Sequence, residues 1–255
     1  MAPRPLLGIV TFALAFCSAV GSTQTFSTPT YPAGTSQAQD VTCGDVNGDG
    51  KTDVIVSDSS STQILLGDGL GALAPPSPLA GARYQAVVAD MNNDGKKDIV
   101  AISPVGDATT FLGDGLGGFP SSITITNTGG GRFAVGDLNN DGLLDFVACS
   151  GPNVLAALNA GGASFPTVVT NPTPGSVPVT NITVADVNGD GKLDVLVSKF
   201  TTLIYLGNGT AQLPAPIAKD GASGPIAAAL EGEGLTPSRM NPKSVRSILA
   251  RASVA

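Results

Sequence analysis

Residues 45–53 read Asp-Val-Asn-Gly-Asp-Gly-Lys-Thr-Asp, and three further segments of the chain repeat this pattern without a gap. The copies begin at Asp90, Asp137 and Asp186, so successive starts are separated by 45, 47 and 49 residues. Every copy keeps Asp at positions 1, 5 and 9, Asn at position 3 and Gly at position 6. A period of this length is the one expected of a β-propeller blade.

Short apolar segments surround each copy in a fixed order. One strand is predicted before the motif, a second directly after it, a third that runs into a glycine turn, and a fourth that follows a single apolar residue such as Leu73. The turn of the third copy, residues 157–162, is the weakest. Second strands such as Ile99–Ser103 are nearly continuous apolar runs, as expected of a strand covered on both faces. The sequence predicts an all-β fold, a β-propeller with four clear blades of about four strands, in preference to a β-solenoid or a pair of sandwiches.

The two ends of the repeat array do not match a simple ring. Phe26–Thr35 resembles the last strand of a blade, and Ile226–Gly234 resembles a decayed fifth motif in which Glu231 and Glu233 replace Asn and Asp. The propeller is therefore predicted to be incomplete or to have a degenerate fifth blade. An open arc would expose strand edges and favour self-association. The alternative is a closed ring of four or five blades to which residues from Ile226 onwards contribute.

The first residues predict export. Arg4 supplies a positive charge, residues 6–16 are an apolar run, and Ala19-Val-Gly21 fits a cleavage site, so residues 1–21 are interpreted as a secretory signal peptide rather than a membrane anchor. The propeller repeats are assigned to residues 22–218, and a degenerate repeat with a basic tail to residues 219–255. The mature protein is expected to be secreted, periplasmic or at the cell surface, with no membrane span.

Composition excludes several classes of function. The chain has no His, which rules out Ser-His-Asp catalysis and Cys/His zinc sites. A net charge of −7 argues against nucleic-acid binding. Cys17 would leave with the signal peptide, and Cys43 and Cys149 are predicted to be two buried free thiols rather than a disulfide.

The repeated motif predicts a metal site. Carboxylate and amide oxygens recur at alternate positions of a tight loop, and the carbonyl of position 7 can add another oxygen, which makes a hard, oxygen-only set of ligands suited to Ca²⁺. Asp, Asn and Gly are also common turn residues, but four complete copies are not explained by turn formation alone. The position after the motif where an EF-hand needs Glu holds an apolar residue, such as Val56, so an EF-hand is not predicted. The predicted ligands are Asp45, Asn47, Asp49, Lys51, Asp53, Asp90, Asn92, Asp94, Lys96, Asp98, Asp137, Asn139, Asp141, Leu143, Asp145, Asp186, Asn188, Asp190, Lys192 and Asp194.

The pattern Asp-x-Asn-x-Asp-Gly-x-x-Asp, followed by a strand and a Leu-Gly-Asp-Gly turn, resembles the FG-GAP/VCBS repeats of integrin-α-like β-propellers. The resemblance covers about Phe26–Leu213. It implies a calcium-binding propeller that serves as a binding or adhesion module. That family usually closes a ring of about seven blades, whereas this chain has four clear motifs.

Three functions follow from these observations. The first is a non-catalytic, calcium-stabilised module that binds an unidentified protein or glycan. The second is a polysaccharide-active enzyme on a propeller scaffold, which would need an acid and base outside the metal loops. The third is a truncated fragment of a larger propeller. No catalytic residue is assigned, because the acids outside the four motifs form no recognisable pair.

Overall fold

The computed structural model describes residues 38–58, 61–79, 85–103, 106–126, 128–129, 131–174, 179, 181–198 and 202–219. The predicted signal peptide, the predicted strand Phe26–Thr35 and the predicted fifth motif Ile226–Gly234 lie outside these residues, as does the tail beyond Lys219. All regular structure in the described ranges is β. None of those ranges contains a helix long and apolar enough to cross a membrane.

The described chain forms four antiparallel sheets of four strands each, and the strands of every sheet follow one another in sequence order. Each sheet is one blade, which confirms the predicted propeller class and the four-strand repeat. The strands of blade 1 are β1 (Ala38–Gly44), β2 (Asp53–Asp58), β3 (Thr62–Leu65) and β4 (Ser77–Leu79). Blade 2 contains β5 (Gln85–Ala89), β6 (Asp98–Ile102), β7 (Ala108–Leu112) and β8 (Ser121–Ile125). Blade 3 contains β9 (Phe133–Gly136), β10 (Asp145–Ser150), β11 (Asn153–Leu158) and β12 (Thr167–Pro172). Blade 4 contains β13 (Asn181–Ala185), β14 (Asp194–Ser198), β15 (Thr202–Tyr205) and β16 (Ile217–Lys219).

The second strand of each blade is buried on both faces, as its continuous apolar sequence predicts. In β2 all six residues are buried. Ile55 packs towards blade 2 with Ala86 and Ile99, whereas Val54 and Val56 lie on the opposite face, in a cluster within blade 1. The pleat of a strand places successive side chains on opposite faces, so one strand contributes to two separate apolar clusters.

Three apolar clusters join consecutive blades. The cluster between blades 2 and 3 contains Phe133 and Phe146, whose ring centroids are 5.2 Å apart. The cluster between blades 3 and 4 is built around Val147, Val195 and Tyr205. Burial raises the pKa of the Tyr205 phenol to about 12. The core is therefore divided among the interfaces between blades rather than gathered in one centre.

The first strands of the blades lie innermost, since β1 contacts β5, β5 contacts β9 and β9 contacts β13. No comparable contact joins β13 to β1 among the described strands. Two further buried clusters belong to single blades, one around Val54 on blade 1 and one around Leu196 on blade 4. These two faces look away from the other described blades. Closure of the ring, and the self-association expected of an open arc, stay predictions.

Polar side chains also connect the inner strands. Gln85 binds Phe133 twice, because its Nε2 donates to the Phe133 carbonyl (3.2 Å) and its Oε1 accepts from the Phe133 N–H (3.0 Å). Asp40 accepts a hydrogen bond from the Ala86 N–H (3.1 Å) and lies 3.8 Å from the Arg132 guanidinium. The contact between Asp40 and Arg132 connects blade 1 with blade 3, so the inner strands curve around a common axis.

The cysteines are only partly as predicted. Neither Cys43 nor Cys149 is in a disulfide, and Cys149 is buried in the interface between blades 3 and 4. The prediction that Cys43 is buried is wrong, because its side chain is exposed. Cys43 lies opposite Val54 in the β1–β2 register, on the face of blade 1 turned away from blade 2. The sequence alone does not show which face of blade 1 packs against another blade.

A glycine follows the third strand of blades 1, 2 and 4 because a second segment of backbone passes close to it. A Cβ atom at Gly67, Gly113 or Gly207 would lie 2.1 Å from the carbonyl oxygen just before the position-9 aspartate of the same blade. We expect Gly113→Ala to lower the free energy of unfolding by about 3 kcal/mol, because the backbone must shift to relieve this overlap. Chemical denaturation would measure the loss.

The matched control for Gly113→Ala is Gly162→Asn. Gly162 has a positive φ of 62° and no atom within 4 Å of its Cβ position. It lies in a tight turn in which Ala163 is also left-handed and the Ser164 N–H donates to the Gly161 carbonyl. Asparagine tolerates the left-handed conformation of such a turn, so the control should remain close to the unmodified protein in stability. Equal denaturation midpoints for the two variants would contradict the proposed overlap.

Candidate metal loops

The four motifs occupy the same place in the four blades. Each one starts immediately after the inner strand and ends at the first residue of the second strand, as between Gly44 and Asp53. The loops therefore lie at one end of the inner strands, on a common face of the propeller. The residue at position 2 anchors each loop by a fully buried apolar side chain. These anchors are Val46, Met91, Leu138 and Val187. Sequence reasoning missed them, although an apolar residue stands at position 2 in every copy.

The carboxylate at position 1 organises the backbone of its own loop. In loop 1, Asp45 Oδ1 accepts from the Gly48 N–H (2.7 Å) and Asp45 Oδ2 accepts from the Gly50 N–H (2.8 Å). The bond to the N–H of position 6 recurs in the other loops at 2.9 to 3.0 Å. Position 1 thus folds each loop around its own carboxylate.

Positions 3 and 5 form successive short-range turns. Asn47 Oδ1 accepts from the Asp49 N–H (3.2 Å), and Asp49 Oδ1 accepts from the Lys51 N–H (2.9 Å). The same bonds are present in loop 2, where Asp94 accepts from the Lys96 N–H at 2.9 Å. These backbone donors hold the pKa of Asp49 and Asp94 below the usual aspartate range. Both carboxylates are therefore charged at neutral pH and face solvent.

Position 9 differs from the other carboxylates because it is fully buried. Asp98 Oδ2 accepts from the Met91 N–H (2.8 Å) and Asp98 Oδ1 accepts from the Gly113 N–H (2.9 Å). The equivalent residues Asp53, Asp145 and Asp194 make the same pair of bonds. Burial raises the pKa of Asp98, Asp145 and Asp194, while the backbone donors oppose that rise. Position 9 fastens the start of the loop to the turn after the third strand.

The loop backbone requires two left-handed residues rather than one. Glycine at position 6 has φ between 77° and 85° in the four loops, as the sequence predicts. Position 4 is also left-handed, with φ of 75° at Gly48 and 60° at Asn93. Only Gly and Asn occupy position 4 in the four copies, and these are the residues that adopt this conformation at least cost. Sequence reasoning missed this constraint.

The donor set of the loops fits a hard cation such as Ca²⁺. Three carboxylates, an amide oxygen and a backbone carbonyl belong to each loop, and a carboxylate oxygen that accepts one N–H keeps a second lone pair. Within the described ranges, no three Asp, Glu or Cys side chains are arranged so that they could hold a metal ion as they stand. The assignment of the side-chain and carbonyl ligands therefore stays a prediction for all four loops.

Neighbouring loops and turns touch one another. Asn140 Nδ2 of loop 3 donates to the Gly191 carbonyl of loop 4 at 3.1 Å. A Cβ atom at Gly48 of loop 1 would lie 3.3 Å from the Gly115 carbonyl oxygen in the turn of blade 2. The loop face is thus a continuous surface across blades.

Blade 3 departs from the repeat in a way that connects it to blade 2. Asn159 replaces the glycine at the end of the third strand, and its N–H still donates to Asp145 (2.8 Å). Its side-chain Nδ2 donates to the carbonyl oxygens of Met91 (2.7 Å) and Leu144 (3.1 Å). The weak third turn in the sequence is therefore a compensated substitution that ties two blades together.

Comparison with protein families agrees with the repeat and the fold. The sequence profile of the FG-GAP-like repeat matches residues 45–101, 90–148 and 137–197. Each match begins at position 1 of one motif and extends into the second strand of the next blade. Comparison with curated proteins gives no match.

The solved structures that match this chain have low sequence identity to it. BBS1N in complex with ARL6DN is 13% identical, with a TM-score of 0.52 over 72% of this chain and 57% of that one. A lectin from Agrocybe aegerita that recognises non-reducing terminal N-acetylglucosamine is 18% identical, with a TM-score of 0.40 over 76% of this chain and 69% of that one. The V. cholerae biofilm matrix protein Bap1 is 17% identical, with a TM-score of 0.41 over 74% of this chain and 40% of that one. Of these three, the similarity to BBS1N, with a TM-score above 0.5, supports the fold and nothing beyond it.

Proposed function

Since this chain belongs to the family of FG-GAP-like repeat proteins, we propose that it is a secreted, calcium-binding β-propeller that acts as a non-catalytic binding or adhesion module. The observation that supports calcium binding is the repetition of one oxygen-rich loop at the same place in four blades. Each loop keeps the full donor set on a backbone with the same left-handed turns. A single turn-forming function would not require three carboxylates in every copy.

Charge supports the same proposal. The four loops contain 12 of the 20 acidic residues of the chain, at positions 1, 5 and 9. Three carboxylates held within one short loop repel one another, and a divalent cation removes that repulsion. Removing Arg4 with the signal peptide changes the net charge from −7 to −8, and four Ca²⁺ would offset it completely.

Asp94→Ala and Lys96→Ala together test the ligand assignment in loop 2. Asp94 is proposed to contribute a side-chain oxygen, whereas Lys96 contributes only its backbone carbonyl, so we expect the first variant to lose about one Ca²⁺ per chain and the second to lose none. Calcium titration and native mass spectrometry would measure the number of ions bound. An equal loss in both variants would refute the assignment.

A non-catalytic binding role is proposed because the chain is a propeller and because the acidic residues outside the metal loops form no recognisable pair of acid and base. Asp68 and Asp114 recur at one turn position, where their carboxylates accept backbone N–H groups and so have a structural function. A glycan array and a binding assay on whole cells would look for the ligand of the module. Turnover of a polysaccharide by the purified protein would favour the alternative, an enzyme on this scaffold.

A further inference from the structure

Two of the four loops contain a dipeptide that the other two lack. Positions 3 and 4 are Asn47-Gly48 in loop 1 and Asn188-Gly189 in loop 4, whereas loops 2 and 3 have two asparagines there. A glycine has no side chain, so its backbone nitrogen is open to approach. In such a dipeptide the glycine nitrogen can attack the side-chain carbonyl of the asparagine and close an imide ring.

Loops 1 and 4 also direct the glycine N–H at a carboxylate. The Gly48 N–H donates to Asp45 Oδ1 at 2.7 Å. The Gly189 N–H donates to Asp186 Oδ1 at the same distance. In loops 2 and 3 the carboxylate of position 1 accepts from the N–H groups of positions 5 and 6, and the described structure has no such bond from position 4. An anionic acceptor draws the proton away from the nitrogen, which makes that nitrogen a better nucleophile.

The asparagine carbonyl is polarised in the same loops. Asn47 Oδ1 accepts from the Asp49 N–H at 3.2 Å. Asn188 Oδ1 accepts from the Asp190 N–H at 3.0 Å. A donor at this oxygen stabilises the negative charge that develops on it when the carbonyl carbon is attacked. The glycine of position 4 is exposed in both loops, so water reaches the site.

We propose that Asn47 and Asn188 are sites of spontaneous deamidation, and that Ca²⁺ in loops 1 and 4 suppresses the reaction. The glycine nitrogen forms a bond to the asparagine Cγ, the bond between Cγ and Nδ2 breaks, and the glycine amide proton leaves with Nδ2 as ammonia. Water then opens the imide at either carbonyl, which produces aspartate or isoaspartate at position 3. Water is the one co-reactant.

Calcium opposes the reaction because positions 1 and 3 are both proposed ligands, so this part of the inference rests on the proposed calcium binding. An asparagine oxygen that coordinates a cation holds its Cγ away from the glycine nitrogen. A carboxylate that shares its charge with a cation also draws less strongly on the glycine N–H. Isoaspartate adds a carbon atom to the backbone between positions 3 and 4, so a modified loop should no longer bind its ion. Long absence of calcium would therefore become a permanent loss of sites.

Incubation of the mature protein, below its melting temperature in EGTA and at mildly alkaline pH, tests the proposal. Peptide mass spectrometry measures the gain of about one mass unit at each asparagine. In EGTA, Asn47 and Asn188 should react at least about tenfold faster than Asn92 and Asn139, which occupy position 3 in loops 2 and 3. In Ca²⁺ the rates at Asn47 and Asn188 should fall about tenfold or more.

The chain contains a matched control for calcium and offers one for the dipeptide. Asn208 precedes Gly209 in the turn of blade 4, outside the metal loops, so its rate should be the same in Ca²⁺ and in EGTA. The variant Asn93→Gly gives loop 2 the dipeptide of loop 1 at a position that is already left-handed, with φ of 60°. Its Asn92 should react in EGTA at about the rate of Asn47.

Calcium titration on the same samples separates this inference from the metal proposal. Calcium uptake with no slowing at Asn47 and Asn188 overturns the protection alone, as does an equal slowing at Asn208. No calcium uptake overturns the metal proposal, and the rates in EGTA still test the two sites. Equal rates at Asn47 and Asn92 in EGTA, or an Asn93→Gly variant in which Asn92 stays unreactive, overturn the assignment of the sites.

Discussion

Transfer of the mature protein from calcium into EGTA should lower its melting temperature by tens of degrees. At a free Ca²⁺ concentration 100-fold above Kd, a site adds about 2.7 kcal/mol to the free energy of unfolding, so four sites add roughly 11 kcal/mol. About 2–4 °C per kcal/mol is expected for a domain of this size. Without the ion, the carboxylates in each loop repel one another and loosen the start of the second strand in each blade. Differential scanning calorimetry on protein purified free of Ca²⁺ would measure the change.

The control for chelation is EGTA that has been saturated with Ca²⁺ beforehand, which keeps the chelator but not its effect. Mg²⁺ should restore less of the melting temperature than Ca²⁺, since it demands a stricter octahedron and retains its own water. Identical melting curves in EGTA and in Ca²⁺ would sink the calcium proposal for these loops.

Asp98→Ala should destabilise the protein by about 2–5 kcal/mol even in EGTA. The substitution leaves the N–H groups of Met91 and Gly113 without an acceptor in a buried site, and each such loss costs about 1–3 kcal/mol. Urea denaturation in EGTA separates this structural function from any contribution of metal. We expect the stability of Asp98→Asn to lie between that of Asp98→Ala and that of the unmodified protein. Asparagine keeps one acceptor oxygen but places a donor where the second oxygen was.

Asp94→Ala in EGTA is the matched control for Asp98→Ala. Asp94 belongs to the same loop and also accepts backbone hydrogen bonds, but it is exposed, so water can replace it. Its effect on stability in EGTA should be within about 1 kcal/mol. If both alanine variants unfold at the same urea concentration, the special function assigned to position 9 is wrong.

The repeat made most of the fold predictable. Apolar runs such as residues 99–102 and the regular spacing of the four motifs located the strands, and the described blades confirm their order. Periodicity works here because the second strand of each blade is buried on both faces, which imposes the same apolar requirement on every copy. The state of the ring and the burial of Cys43 were not predictable, since both depend on which faces meet across the whole chain.

The place of the loops in the fold was predictable, but the different functions of the residues within each loop were not. Each motif lies between the first and second strands of its blade, as the sequence predicts, with position 9 as the first residue of the second strand. The sequence could not distinguish Asp98, which fastens buried backbone, from Asp94, which faces solvent, because both are aspartates in one short loop. Nor could it show that Leu70 is exposed while Leu73, three residues later, packs against blade 1. Such differences come from contacts between segments distant in sequence.

Asn159 has a consequence for anyone who would idealise this protein by averaging its repeats. A consensus sequence would place glycine at this position, as in the other three blades. That change would remove the hydrogen bonds to the carbonyl oxygens of Met91 and Leu144, because glycine has no side-chain amide to donate them. Blade 3 therefore depends on its own asparagine, and a more regular sequence would make a less stable interface with blade 2. A consensus of the repeats is a poor guide to stability wherever a substitution in one blade forms a contact with the next blade.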